Sequence, residues 1–166
     1  MKLTIIVPVL NEGAALAQRL LALQPLRQRG AQLLVVDGGS TDASAATAAA
    51  WADQVLAAPR GRAAQMNAGA CATRADVLLF LDTDTQLPPD ADVLVMQALD
   101  AGHDWGRFDV RIEGRHPLLP MVAAFMNWRS RLSGIATGDQ AMFVRRAVFN
   151  AVGGFAPQPL MEDIAL

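Results

Sequence analysis

The fold is decided by the stretch Val77-Leu78-Leu79-Phe80-Leu81-Asp82-Thr83-Asp84-Thr85. Its first five residues are apolar, too few for a typical helix and rich in branched side chains, so they predict a strand buried on both faces. Two carboxylates then follow at the carboxyl end of this strand, where open α/β folds bind their ligands. Carboxylate oxygens suit Mg²⁺ or Mn²⁺, and such an ion suits a diphosphate. The plainer interpretation is a pair of solvated aspartates.

The composition indicates one well-cored domain, because 52% of the 166 residues are hydrophobic and 18% are charged. The net charge is −2, so no overall field attracts nucleic acid, and we expect no nucleic-acid partner. The single cysteine, Cys71, fits a reducing compartment, and we expect a buried, inert thiol.

Apolar stretches in the chain are short, since none approaches the roughly 18 apolar residues that span a bilayer. We therefore predict a cytoplasmic protein. The apolar segment 117–128 is followed by Arg129 and Arg131. A core helix is the default interpretation there, and peripheral contact with the inner face of the membrane is the alternative.

Strand and helix patterns alternate along the chain, which predicts a mostly parallel sheet with helices on both faces. The predicted strands are 3–9, 32–37, 54–57, 77–81, 106–112 and 141–144. The predicted helices are 13–29, from 41 or 42 to 51, 62–73, 88–102, 118–132 and 146–152.

The ends of the first two predicted strands also carry polar residues. Asn11 and Glu12 fit either a helix cap and first turn or, together with Pro8, a ligand site on the edge that carries the aspartate pair. Asp37 precedes glycines, of which Gly39 is one, that allow the backbone to approach a ligand closely. Asp37 could accept hydrogen bonds from a base or ribose, or the segment is a plain βα turn.

Two arginines, Arg60 and Arg62, stand at the start of the next predicted helix, where positive charge opposes the helix dipole. An anion bound there would offset that cost, so the pattern favours phosphate contact over two solvated arginines. Arg62, Gln65 and Gly69 fall on one helical face, and Asn67 lies partly off it.

Taken in order, these motifs resemble the family-2 glycosyltransferases of the GT-A fold. The family's first four motifs correspond to Pro8-Asn11-Glu12, Asp37-Ser40-Asp42, Arg60-Arg62-Asn67-Gly69 and Asp82-Asp84. Its acceptor-side segment and catalytic pair correspond to Gly138-Asp139-Gln140, Gly153-Gly154-Phe155 and Glu162-Asp163. The resemblance covers essentially the whole chain and is nearest to small bacterial members. It implies a Rossmann-like α/β domain over 1–166, with a nucleotide-sugar half at 1–102 and an acceptor-side half at 103–166.

The resemblance implies metal-dependent transfer of a sugar, with inversion, from a nucleoside-diphosphate donor to an acceptor hydroxyl. A UDP-sugar is favoured, and the acceptor is a lipid, a glycan or a small molecule. Asp84 would bind Mg²⁺ or Mn²⁺, and Asp163 would be the general base. The acceptor side would include Gly138, Asp139, Gln140 and Glu162. The implied donor-binding residues are Pro8, Asn11, Glu12, Asp37, Gly39, Arg60, Arg62, Asn67, Asp82 and Thr83.

Within the donor site, the resemblance implies that Asp37 accepts a hydrogen bond from the nucleobase, with Pro8 and Glu12 beside it. Asp82 would contact the ribose or the donor sugar. The family continues into at least one further helix after the segment that ends here at Leu166, so we expect the sequence to be incomplete.

Three other functions fit parts of the pattern. Asp82-Thr83-Asp84-Thr85 resembles the nucleophile element of haloacid-dehalogenase-type phosphatases, which usually begin with this element and need a downstream lysine or arginine and an acidic pair. Here the element follows the fourth predicted strand and the only lysine is Lys2, although Glu162-Asp163 could serve as the acidic pair. A nucleotidyltransferase of similar fold needs a glycine-rich loop after the first strand, and residues 8–13 offer one glycine. A catalytically silent nucleotide-sugar binding module is the third alternative.

Overall fold

The computed structural model describes residues 1–110, 118–133 and 140–156. Six strands form one sheet, in the order β3-β2-β1-β4-β6-β5. The first four pair in parallel, whereas β6 is antiparallel to both of its neighbours. The strands are β1 (Leu3–Val9), β2 (Gln32–Asp37), β3 (Gln54–Ala57), β4 (Val77–Phe80), β5 (Trp105–Arg107) and β6 (Met142–Arg145). The predicted mostly parallel sheet is confirmed.

The described part of the chain contains seven helices, of which the last follows β6. They are α1 (Ala15–Ala22), α2 (Gln24–Gln28), α3 (Ser44–Trp51), α4 (Arg62–Ala72), α5 (Ala91–Asp100), α6 (Leu119–Ser133) and α7 (Arg146–Val152). Among the described residues, no helix combines the length and the apolar character needed to cross a membrane.

The core lies on both faces of the sheet because alternate residues of each strand point to opposite sides. In β1, Ile5 and Val7 belong to a cluster with residues of α1, α3 and α5, while Ile6 joins a second cluster with residues of α4 and α7. All four residues of β4 are buried, which confirms the predicted strand with two covered faces. Because β4 lies in the middle of the sheet, the position of Asp82 and Asp84, which follow it, is fixed at the sheet's carboxyl edge.

Three expectations about local structure are corrected. The predicted helix 13–29 is divided into α1 and α2, because Pro25 lacks the N–H that a continuous helix would use. Strand β5 ends at Arg107, earlier than predicted, and part of the predicted strand lies outside the described residues. Cys71 is exposed rather than buried, because it lies off the buried face of α4, to which Met66, Gly69 and Ala70 belong.

Helix α6 is joined to the segment after β5 through polar contacts. The Asn127 side chain accepts a hydrogen bond from Val110 N at 2.8 Å and donates one to Val110 O at 3.0 Å. Arg107 also donates to the Asn127 carbonyl at 3.0 Å. Since β5 is parallel to β4, these contacts hold the middle of α6 near the sheet edge that carries Asp82 and Asp84.

Candidate functional site

A pocket of about 580 Å³ opens at the carboxyl edge of β1 and β4. This volume is within the usual range for small-molecule sites. The pocket is lined by Pro8, Val9, Leu10, Glu12, Arg19, Arg60, Gly61, Arg62, Gln65, Asp82, Thr83 and Asp84. It thus brings together seven of the predicted donor and metal residues from three separate parts of the chain.

Another pocket, of about 570 Å³, lies at the amino edge of the sheet around Gln32 and Asp53. Its two charged residues, Arg27 and Asp53, already pair with each other at 2.6 Å. Open α/β folds bind ligands at the opposite, carboxyl edge. The chemistry of the lining, not the volume, therefore selects the carboxyl-edge pocket as the candidate site.

Charges in the carboxyl-edge pocket are balanced, with three carboxylates and three arginines among the lining residues. Arg62 Nε donates to Asp82 Oδ1 at 2.9 Å, and Arg19 Nη1 donates to Glu12 Oε2 at 2.6 Å. The side chains in these two pairs are about one quarter to one third exposed, so solvent screens them only in part. Two of the carboxylates are therefore held by an arginine without any ligand.

Asp84 differs from the paired carboxylates because it is exposed at the pocket mouth. Its contact with Thr85 Oγ1 is long, at 3.4 Å. Within the described ranges, no group of three or more acidic, histidine or cysteine side chains surrounds a common point. One or two carboxylates completed by phosphate oxygens and water are nevertheless the usual protein ligands of Mg²⁺, so the exposed Asp84 carboxylate fits a metal that arrives with a diphosphate.

Asn11 joins the loops after β1 and β2. Its Oδ1 accepts a hydrogen bond from Thr41 N at 2.8 Å, while its own N–H donates to Ser40 Oγ at 2.9 Å. Asn11 has a φ of 55°, a left-handed conformation that asparagine tolerates better than most residues. The structure therefore gives Asn11 a role in building the loop, and it is not among the residues that line the pocket.

Asp37 also stabilises its own turn. Its carboxylate accepts hydrogen bonds from Gly39 N at 3.1 Å and from Ser40 N at 3.0 Å. The side chain is 8% exposed and, like Gly39, is not among the pocket-lining residues. The predicted nucleobase contact by Asp37 stays a prediction, and the fold alone accounts for the carboxylate.

The segment after Asn11 is held by the start of α3. Ser44 Oγ accepts from Glu12 N at 2.9 Å, and Asp42 Oδ2 accepts from Gly13 N at 3.0 Å. Hydrogen bonds from Ser44 and Gly13 lower the pKa of Asp42 from its ordinary value, because they stabilise the ionised carboxylate. These contacts fix the backbone of Glu12 beside the pocket.

Gln65 closes the gap between the ends of β1 and β2. Its Nε2 donates to Val9 O at 2.9 Å and to Val36 O at 2.8 Å. The side chain is 4% exposed and packs against Gly38, where an added Cβ would lie 2.9 Å from the amide. Its place on one face with Arg62 was predicted, but its bonds to two strand ends were not.

Asn67, which the sequence assigned to the donor, lies elsewhere. Its side-chain amide is hydrogen-bonded to the backbone of Phe155, and it is not among the described residues that line the pocket. Gln140, of the acceptor-side group, is buried just before β6. The others predicted there, Gly138, Asp139, Glu162 and Asp163, lie outside the described residues.

Arg19 is the charged residue of the pocket lining that sequence reasoning missed. It lies on α1, seven positions after Glu12, and the intervening Gly13 has a φ of 59°. That turn brings α1 back toward the strand end and lets Arg19 reach the Glu12 carboxylate. A basic residue in the second turn after a Glu-Gly pair was the available signal.

The sequence profile of the family described as Glycosyl transferase family 2 matches residues 4–153. Uncharacterised glycosyltransferases of Mycobacterium tuberculosis and Mycobacterium bovis are 32% identical to the chain over 132 residues. The match covers 77% of this chain and 59% of each relative, so the chain spans less than two thirds of their length.

Two solved structures share the fold. The mannosyltransferase from Pyrobaculum calidifontis in complex with GDP-Man and Mn²⁺ superposes with a TM-score of 0.72 at 20% identity, over 97% of this chain and 49% of that one. Glucosyl-3-phosphoglycerate synthase from Mycobacterium tuberculosis, with Mn²⁺, UDP and glucosyl-3-phosphoglycerate, gives 0.72 at 23% identity, over 98% and 62%. These similarities identify the GT-A fold that the sequence predicted.

Proposed function

Because the chain belongs to glycosyl transferase family 2, we propose that it binds a nucleoside-diphosphate sugar in the carboxyl-edge pocket and that the protein transfers the sugar to an acceptor hydroxyl. The observation that carries this proposal is the pocket itself. It places the arginines at the start of α4 opposite the Asp82-Thr83-Asp84 element, with Pro8 and Glu12 at the end of β1 completing the wall. Family membership favours this activity over the phosphatase and nucleotidyltransferase alternatives.

The charge balance of the pocket supports a role for a divalent cation. Three carboxylates and three arginines leave the lining close to neutral, so a diphosphate alone would bring about two uncompensated negative charges. A divalent cation that enters with the donor restores neutrality. Asp84 is the residue we assign to the metal, with Mg²⁺ or Mn²⁺ as the ion, and Asp82 and Thr83 are assigned to the ribose or the sugar.

Each end of the pocket suits a different part of the donor. Glu12 and Pro8, next to Arg19, are assigned to the nucleoside, and Arg60 and Arg62 to the diphosphate. A carboxylate acceptor such as Glu12 suits the N–H groups of uracil and of guanine alike. The preference for a UDP-sugar therefore rests on the family resemblance.

For the chemical step, we assign the general base to Asp163, which lies outside the described residues. It takes the proton of the acceptor hydroxyl as that oxygen attacks the anomeric carbon. The bond from the anomeric carbon to the diphosphate oxygen breaks, and its electron pair leaves with the diphosphate. Attack from the side opposite the leaving group inverts the configuration. Arg60 and Arg62 stabilise the charge that develops on the diphosphate, and a bound metal would add to this stabilisation.

Titration calorimetry tests the donor site. The protein is titrated with UDP-glucose and with GDP-mannose, with and without Mn²⁺, as wild type and as Asp84→Ala. We expect binding that requires Mn²⁺ and is weakened at least tenfold by Asp84→Ala. The matched control is Asp90→Ala, which removes an exposed carboxylate outside the pocket lining and should bind as the wild type does. Binding that ignores both Mn²⁺ and Asp84 would contradict the metal assignment, and no binding of either donor would contradict the donor site.

The outer face of α6 has the character of a surface that contacts anionic lipid, and this is the basis on which we propose peripheral membrane contact. Met121, Phe125 and Trp128 are 61%, 60% and 59% exposed on this helix. The helix sequence also contains Arg129 and Arg131 and no acidic residue, so its charge complements anionic headgroups.

Sedimentation with vesicles tests this contact. We expect the protein to pellet with vesicles that contain phosphatidylglycerol and to stay in solution with phosphatidylcholine alone. Phe125→Ser should weaken pelleting, whereas Val93→Ser, an exposed apolar residue of α5, should not. Equal behaviour of the two variants, or self-association without lipid that buries Trp128, would overturn the membrane contact.

A further inference from the structure

We propose that Asn67 is a positioning residue, which fixes the turn at Phe155 in the acceptor-side segment against the donor-binding half and does not touch the donor. The inference rests on the proposed function, because only a sugar transferase has an acceptor side for Asn67 to position. It replaces the donor-binding role that the sequence pattern assigned to Asn67.

Both polar groups of the Asn67 amide are occupied by the backbone of a single residue. Nδ2 donates to Phe155 O at 2.9 Å, and Oδ1 accepts from Phe155 N at 3.0 Å. This reciprocal pair copies the way in which two adjacent strands exchange hydrogen bonds. The amide therefore holds the backbone of Phe155 in one orientation, and Asn67 is not among the residues that line the pocket.

The glycine before Phe155 makes the close approach feasible. Gly154 has a φ of 78°, and an added Cβ would lie 2.7 Å from Asn67 Oδ1. Real side chains essentially never approach that closely, so this turn can meet Asn67 only without a side chain at position 154. Gly154 and Phe155 thus form the surface that receives the Asn67 amide.

An aromatic cluster anchors the same turn to the strand that presents the aspartate pair. Phe155 is 3% exposed, and its ring centroid lies 4.8 Å from that of Phe80 and 5.5 Å from that of Phe149. Phe80 is the last residue of β4, two positions before Asp82. Edge-to-face contacts of this kind fix the relative position of the rings.

The two attachments have a common consequence. Helix α4 begins with Arg62 at the pocket, and its middle carries Asn67, so one rigid helix relates the donor site to the turn at Phe155. In the sequence, Asp163 follows Phe155 by eight residues. A loss of the Asn67 contact should displace the turn at Phe155, and catalysis is sensitive to displacements of about 1 Å, which cost on the order of 100-fold.

The test separates donor binding from positioning. Asn67→Ala removes both hydrogen bonds, and Asn67→Asp keeps the acceptor for Phe155 N while it loses the donor. The control is Asn150→Ala, an exposed asparagine on α7. For each variant, the affinity for UDP with Mn²⁺ is measured by calorimetry, UDP release from UDP-glucose by a coupled assay, and amide exchange by mass spectrometry.

We expect UDP affinity within about threefold of wild type in all variants. UDP release should fall about 10- to 100-fold in Asn67→Ala and less in Asn67→Asp. Amide exchange in peptides that contain Phe155 should rise at least tenfold in Asn67→Ala, without change in peptides that contain Asp82. Asn150→Ala should change none of these.

Two results would overturn the proposal: a loss of UDP affinity in Asn67→Ala comparable to that in Asp84→Ala, or unchanged exchange around Phe155. If the wild type binds neither UDP nor GDP, the proposed function fails instead. The exchange measurement still decides the contact between Asn67 and Phe155 in that case, so the two failures are distinguishable.

Discussion

Replacing Gln65 with methionine should destabilise the protein at the edge that forms the pocket. The Gln65 side chain is 4% exposed and donates to Val9 O at 2.9 Å and to Val36 O at 2.8 Å. Methionine has a similar length and helix propensity, so the substitution removes the two hydrogen bonds with little other change. The last residues of β1 and β2 then lose the side chain that links them.

The magnitude follows from these two bonds. Each net hydrogen bond contributes about 0.5–1.5 kcal/mol, so their loss should lower the free energy of unfolding by about 1–3 kcal/mol. The amide lies flat on Gly38, where an added Cβ would be 2.9 Å from it, so the site has little room to rearrange. For a chain of this size, the expected fall in Tm is about 2–4 °C for each kcal/mol.

The assay is urea unfolding together with thermal melting of Gln65→Met and of a matched control. Gln97→Met makes the same change at an exposed position of α5 and should alter the free energy of unfolding by less than about 0.5 kcal/mol. UDP affinity should fall in Gln65→Met alone, because Val9 and Val36 lead directly into the loops of the pocket. If the two variants have the same stability, Gln65 does not hold the strand ends together, and the reasoning is refuted.

Three further predictions concern stability, each measured by urea unfolding. The hydrogen bond from Arg27 lowers the pKa of Asp53 in the folded protein, so the ionised Asp53 carboxylate stabilises the fold fully above about pH 4, and this contribution is lost as the pH falls through the lowered pKa. Asp53→Asn should therefore flatten the decline in the free energy of unfolding between about pH 5 and 2. Gly69→Ala should cost about 1–3 kcal/mol, because the new Cβ would lie 2.5 Å from Ile6 Cγ2, and a more stable variant would contradict this packing. Ser44→Ala should cost about 1–3 kcal/mol, since its hydroxyl accepts from two backbone N–H groups, and an unchanged stability would argue against those bonds.

The strands were largely predictable from the sequence because short apolar runs bounded by glycine or aspartate leave few alternatives. The predicted bounds of β1, β2 and β3 agree with the structure. The break between α1 and α2 was harder to predict, because the leucine spacing on both sides of Leu23 and Pro25 still suits one continuous helix. Periodicity reports which face is buried and not where the hydrogen-bond ladder is broken.

The location of the candidate site was also predictable, because parallel strands bring their carboxyl ends to one edge. The division of labour among its polar residues was not. Asn11 and Asn67 have side chains committed to backbone groups, whereas Arg60 lines the pocket. A polar residue near a strand end can bind a ligand or stabilise a loop, and the sequence does not distinguish the two roles because it does not show which groups its donors and acceptors contact.

Asp37 and Asp84 illustrate how that distinction bears on experiments. Both oxygens of the Asp37 carboxylate accept from the turn, Oδ2 from Gly39 N and Ser40 N and Oδ1 from Ser40 N at 3.3 Å, so an amide at this position would put an N–H₂ group beside the Ser40 donor and weaken the turn. A loss of nucleotide binding in an Asp37 variant would therefore report on the fold as much as on the nucleobase. Asp84 is exposed, and its contact with Thr85 is long, so its removal leaves the turn chemistry of the described residues almost unchanged. A loss of binding at Asp84 is thus attributable to the ligand, which makes it the informative position for the proposed metal.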